Sequence, residues 1–119
     1  MGDLTESFSR KEFACRCQCG FDAINIGLVH RLQVVRDIAR VPIKILSACR
    51  CPKHNEKVGG KPESYHLKGD AIDWCFFDEE DSLLEKLCTK LLDNWAGGFH
   101  HYPQGNFCHS DVGPRRRWV

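Results

Sequence analysis

Between residues 25 and 40 the apolar side chains return every third or fourth position: Leu28, Leu32, Val35 and Ala39, with Val29 and Ile38 widening the stripe. That period is one face of an α-helix, and it predicts a helix from about Asn25 to Arg40. Pro42 cannot extend it. The stretch that follows, "IKILSAC", alternates and is rich in β-branched residues, which predicts a strand. "GDAIDWCF" reads as a second, buried strand. From Asp78 to Trp95 the helical period resumes through Leu83, Leu84, Leu87, Leu91 and Trp95, with acidic residues crowding the first turns where the helix dipole favours them. Gly97 and Gly98 end it. "FHHY" and "FCHSDV" are short strands on either side of "PQGN", a hairpin turn signal. Near the start, Ser9 with Glu12 three residues later is a capping box, so a short helix is expected through Phe13. "RCPKHNEKVGG" reads as a loop with one helical turn. The order is helix, helix, strand, strand, helix, strand, strand. This predicts one α+β domain over residues 1–119, a small mainly antiparallel sheet with helices packed on it.

Composition narrows the reading only a little. Hydrophobic residues make up 42% of the 119, enough for one core. A formal net charge of +1 gives no global field for nucleic acid. The one charge block, "RRR" at 115–117, reads as a solvated basic tail, with a contact to an anionic polymer as the alternative. No run approaches the ~20 apolar residues needed to cross a bilayer. The opening "MGDLTESFSRKEF" has no apolar signal-peptide core, so cytoplasmic synthesis without membrane insertion is expected.

Eight cysteines (Cys15, Cys17, Cys19, Cys49, Cys51, Cys75, Cys88 and Cys108) are many for such a chain. Free thiols, a disulfide framework and a second zinc site are the competing readings. "CRCQCG" has C-x-C-x-C spacing, whereas structural zinc sites usually begin C-x2-C or longer.

The chemistry concentrates in "SYHLKGDAIDW". A catalytic zinc takes three protein ligands and leaves a position for water. His66 on a loop and Asp73 on the following strand can supply two of them. Gly69 permits a tight turn between them, and the small Ala71 leaves room beside Asp73. The last strand offers a third: His109, with Asp111 two residues on and facing the same side. Singly, each has an ordinary explanation as a surface or hydrogen-bonded residue. Together they are harder to dismiss, because an apolar strand tolerates a buried carboxylate only when it is paired or metal-bound.

"SYHLKGDAID" resembles the S-x-H-x-x-G-x-A-x-D signature of the zinc D-Ala-D-Ala metallopeptidases and L-alanyl-D-glutamate endopeptidases, relatives of the hedgehog signalling domain. "ILSACRCPKHNEKVGG" is similar to their S-G-Y-R-x-x-x-x-N-x-x-V-G-G stretch. "GGFHHYPQGNFCHSDVGPRRRW" and "EFACRCQCG" resemble the closing and opening segments of the small phage-type and bacterial branch. The likeness covers nearly the whole chain, with four motifs in order. It implies zinc held by His66, Asp73 and His109, an Arg50 that reads a peptide carboxylate, and a Ser64 that supports the site or the substrate.

Two departures matter. "SACR" replaces S-G-Y-R, removing an aromatic residue from the cleft. Asn106 stands three positions before the last zinc histidine, where many relatives carry an acidic general base. Asp111 is then the expected base, with hydrogen bonding to a ligand histidine as its other possible role. His100 and His101 are further candidates for polarising the scissile carbonyl. The resemblance implies a monomeric zinc peptidase acting on the stem peptide of bacterial peptidoglycan, as an endopeptidase or a D,D-carboxypeptidase, in a phage endolysin or a cell-wall hydrolase. The alternative is a non-catalytic zinc-containing binding or phage structural module of the same fold.

Overall fold

Helix α1 (Ile26–Ala39) starts where Asn25 turns its side-chain oxygen to accept the Leu28 N–H at 3.2 Å in a computed structural model of the chain. That satisfies one of the orphan donors of the first turn. The helix stops at Arg40, which is left-handed at φ 59° and donates its N–H to Arg36 O at 2.9 Å. The structure describes residues 2–77, 95–102, 104 and 106–117. Of the helix expected over Asp78–Trp95, only Trp95 falls among them.

Leu28, Val29, Leu32 and Val35 are buried and Ala39 packs against them, as the stripe requires. Ile38 is the exception, 71% exposed. At ~100° per residue it points about 100° away from the line of Leu28, Leu32 and Ala39, so the buried arc widens toward Val29 only.

The sheet contains β1 (Ile43–Ser47), β2 (Ala71–Phe76), β3 (Gly98–Tyr102), β4 (Phe107–Asp111) and β5 (Arg116–Arg117) in the order β1-β2-β4-β3-β5. The first four pair antiparallel and β5 runs parallel to β3. Helix α2 (Pro52–Lys57) follows β1, with proline in its first turn, where a missing N–H costs nothing. Two short 3-10 turns, Arg10–Phe13 and Tyr65–Lys68, complete the described elements. At the first of them Glu12 accepts the Ser9 N–H at 2.7 Å.

Strand alternation divides the sheet into two faces of different character. On one face Ile43, Ile45, Ile72, Trp74, Phe76, Phe99 and Cys108 form the core with α1, Phe8 and Phe13. The opposite parity carries Asp73, His109 and Asp111. Trp74, whose indole N–H must find a partner when buried, donates to Ser110 Oγ at 3.0 Å. The register shifts between Ile45 and Ser47, so Ile45 faces Trp74 while Ser47 faces Asp73. This bulge swings Ser47 to the polar face.

The basic block is not simply a solvated tail. Arg116 lies opposite Gly98 in β5, and its Nη2 donates to Asp111 Oδ2 at 2.6 Å. A carboxylate buried in β4 draws the arginine in, because a buried charge needs a partner.

Candidate metal centre

His66 is aimed by its own turn. Ser64 Oγ accepts the His66 N–H at 3.2 Å, capping the 3-10 turn at its start. Gly69 ends the turn at φ 71°, and a Cβ there would collide with Ala23 O. Both the left-handed backbone and the close approach require glycine. The result is an imidazole only 2% exposed, with Nδ1 2.7 Å from Ala48 O. A carbonyl can only accept, so Nδ1 carries the proton and Nε2 presents its lone pair.

Asp73 and His109 are direct partners across β2 and β4. Asp73 Oδ1 lies 3.0 Å from His109 Nδ1 and 3.3 Å from His66 Nε2. The far nitrogen of His109, Nε2, donates to Asp111 Oδ2 at 2.8 Å. When His109 is neutral this bond holds its proton on the outer side and leaves the Nδ1 lone pair inward; when it is protonated, Nδ1 donates to Asp73. Three potential ligand atoms, one each from His66, Asp73 and His109, thus lie within 4.8 Å of one another. This donor set suits a cation. Tetrahedral zinc with ligand bonds of ~2.0–2.2 Å sets its ligand atoms about 3.3 Å apart, close to what these side chains already hold.

The electrostatics agree. Burial by itself would raise the Asp73 carboxyl, but hydrogen bonds from His109 and His66 outweigh it and hold the group well below the usual carboxylate range. Burial would lower His109, yet Asp111 and Asp73 on its two sides raise it. A proton on His109 and a bound cation would compete for the same side chain.

Arg50 enters from the loop after β1. Its Nη2 donates to Asp73 Oδ2 at 3.1 Å, Nε to Ser47 Oγ at 3.0 Å and Nη1 to Asn55 Oδ1 at 3.3 Å. Three of the five guanidinium N–H groups are thus engaged. Asn55 is itself fixed, being buried and donating to Lys61 O at 2.8 Å. Ser47 and Asn55 were not singled out in the sequence. Asn55 carried a signal as the asparagine of the upstream motif, and Ser47 did not, because its facing depends on the bulge.

Asp111 does not occupy the position expected of a general base. It is fully buried and sits behind His109, on the side away from Asp73. Oδ2 accepts from His109 and Arg116, and Oδ1 accepts the N–H groups of Gly98 at 2.9 Å and Gly113 at 3.0 Å. Four donors fill its acceptor sites. Gly98 leaves the room for this: a Cβ there would stand 2.5 Å from Asp111 Oδ2 and 2.6 Å from Arg116 Nη2. Trp95 closes the back, its Nε1 donating to Asp111 O at 3.0 Å. Asn106 Oδ1 accepts from His101 Nε2 at 2.7 Å. His101 pairs with Cys108, whereas His100 lies opposite His109.

The histidine–aspartate–histidine group could hold a metal ion, and by its sequence the chain belongs to the Peptidase M15 family, matched over residues 6–111. It is 33% identical over 103 residues to the peptidoglycan L,D-endopeptidase MepK of Escherichia coli K12, covering 81% of this chain and 55% of that protein. A probable peptidoglycan L,D-endopeptidase MepK of Haemophilus influenzae is 36% identical over 66 residues, 56% of this chain and 34% of that protein. The chain spans about half the length of the first of these relatives and a third of the second.

Proposed function

We propose that this chain is a zinc-dependent peptidase that cleaves the stem peptide of bacterial peptidoglycan. The observation that carries the reading is the convergence of three potential ligand atoms from His66, Asp73 and His109 beside the Arg50 guanidinium. The bound zinc would lower the pKa of its water toward ~7 and polarise the scissile carbonyl. Ser64 and Gly69 fix the approach of His66, and Ala48 O fixes its tautomer. Asp111 orients His109 and raises the basicity of its inner nitrogen, as a carboxylate behind a ligating histidine does. Arg50 holds Asp73 with one nitrogen and keeps two N–H groups for a carboxylate of the peptide, a match of planar fork to planar acceptor. With Asp111 saturated, His100 is the titratable side chain whose strand position, opposite His109, suits it to accept a proton beside the reacting bond.

The names of the relatives favour L,D-endopeptidase cleavage, such as the L-Ala-D-Glu bond, over removal of a terminal D-alanine. Purified peptidoglycan incubated with the protein should release peptides whose masses report that bond, and a chelator should stop it. Release of D-alanine alone would reassign the chain as a carboxypeptidase. A second reading, a zinc-containing module without catalysis, draws on Asn106 and on the engagement of Asp111. It predicts zinc binding with no peptides released at all.

A further inference from the structure

A second group of side chains lies apart from the His66–Asp73–His109 centre and plays no part in the chemistry above. Cys15, Cys17 and Cys19 come from the opening "CRCQCG", and Cys51 comes from the other side, at the N-terminal cap of α2. Their sulfurs converge. Cys15 Sγ is 3.3 Å from Cys17 Sγ and 3.9 Å from Cys51 Sγ, and Cys17 Sγ is 3.5 Å from Cys51 Sγ. The Cys19 sulfur lies within 4.8 Å of all three. These are separations of unbridged thiols, since a disulfide bond is ~2.05 Å long. They bracket the about 3.8 Å that sulfurs keep around a tetrahedral zinc with Zn–S bonds of ~2.3 Å.

Packing does not account for the arrangement. Cys17 and Cys19 are exposed, whereas cysteine ordinarily behaves as one of the most buried residues. Exposed thiols drawn to a buried one need another cause. The local backbone is also built for it. Gln18, between Cys17 and Cys19, is left-handed at φ 64°, and Gly20 follows at φ 95°. Together they curl the run so that alternate side chains meet instead of diverging. The turn is tied by Gln18 N–H to Cys15 O at 3.1 Å and by Cys15 N–H to Phe21 O at 2.8 Å. Two further amides point at sulfur: Cys51 N–H to Cys15 Sγ and His54 N–H to Cys51 Sγ, each at 3.4 Å. N–H groups so placed stabilise thiolate charge and orient the ligand from behind.

We propose that Cys15, Cys17, Cys19 and Cys51 form a four-thiolate structural site for a thiophilic divalent cation, zinc being the probe. Four sulfurs close the coordination sphere and leave no position for water, so the site is structural. It fastens the N-terminal segment to the loop that begins with Arg50, the residue before Cys51. That loop is already tied to the first centre, because the Arg50 N–H donates to His66 O at 3.0 Å. The N-terminal segment is tied to it as well, by Cys49 N–H to Phe13 O at 3.0 Å. The cation would thus brace the backbone that carries Arg50.

The test uses the intact chain, purified under reducing conditions and reconstituted with Co2+ in place of zinc. The wild type should bind two equivalents and show the intense near-ultraviolet band of sulfur-to-cobalt charge transfer, which a His-Asp-His centre cannot give. His66→Ala should lose one equivalent and keep the band. Cys51→Ser should lose the band and keep one equivalent. The wild-type spectrum decides even if Cys51→Ser fails to fold: no charge-transfer band at saturating Co2+ overturns the proposal. So does peptide mapping that finds these four cysteines joined as disulfides in the reduced preparation. Because the band is independent of peptide hydrolysis, its outcome is separate from that of the peptidase reading.

Discussion

His109 is held between two aspartates, with Nδ1 3.0 Å from Asp73 Oδ1 and Nε2 2.8 Å from Asp111 Oδ2. The two carboxylates meet the ring on opposite sides, so one shares the ligand cluster and the other orients the ring. Asp111→Asn should therefore weaken zinc binding by ~10–100-fold while leaving turnover near normal once zinc is restored. Competitive zinc titration and kcat at saturating zinc measure the two effects apart. A loss of ~100-fold or more in kcat with zinc bound would instead make Asp111 the proton acceptor.

Arg50 contacts Asp73 but lends no ligand atom. Arg50→Ala should retain the metal with reduced affinity and lose most activity, because a peptide carboxylate then enters without its partner. Arg50→Lys keeps the charge and loses the fork that spans Ser47, Asp73 and Asn55, so it should rescue little. Metal content and kcat/KM, measured together, check both. Wild-type kcat/KM in Arg50→Ala would leave the residue a purely structural brace for Asp73.

Gly98 is the least obvious position on which the centre depends. A methyl group there meets Asp111 Oδ2 and Arg116 Nη2, both already committed to short hydrogen bonds. Gly98→Ala should cost ~1–3 kcal/mol of stability, as overpacking does, and should weaken zinc binding by turning His109. A denaturation midpoint and a zinc titration equal to those of the wild type would show that β3 yields without disturbing Asp111.

Acid and base should both destabilise the metal-free protein, each through a different group. Burial would raise Asp111, but His109 and the Gly98 N–H draw it down to about 2. Its folded value lies below its unfolded one of ~3.9. Its contribution to stability is then full above about pH 4 and is lost as pH falls toward 2. For His109 burial lowers the pKa, but Asp111 and Asp73 raise it overall. Its contribution is full below the unfolded value of ~6.5 and fades as pH rises through the folded one. Zinc must displace that same proton, so its affinity should climb with pH across the neutral range. Denaturation curves of the metal-free protein and zinc competition at several pH values follow the two effects. A zinc affinity flat from about pH 5.5 to 8 would remove His109 from the ligand set.

How much of this was legible in the chain depends on the range over which each feature is decided. Helix α1 and strands β1 to β4 follow from local periodicity, and so does the shared parity of Asp73 with Ala71 and of His109 with Asp111. Ser64 and Gly69 announce a turn by their own chemistry. What the pattern could not give is set by partners distant in the chain. Asp111 looked available because nothing near it reveals Arg116 on a fifth strand or the amides of Gly98 and Gly113. That Arg50 could pair with an acidic neighbour was open from the sequence, but not that the neighbour is Asp73, because their contact needs β2 beside β1. The C-x-C-x-C spacing alone is unlike that of structural zinc sites, and Cys51, whose sulfur joins the group, stands 32 positions beyond Cys19.

The pairing of Asp73 with His109 also makes the metal an inspector of folding. A slip of one residue in β4 against β2 would turn Cys108 toward the ligand side and drive His109 into the apolar layer. Such an error takes one of the three ligands out of the centre and separates it from Asp73. On the proposed zinc reading, chains that capture the cation would be enriched in correct strand alignment, because its binding energy would favour that alignment.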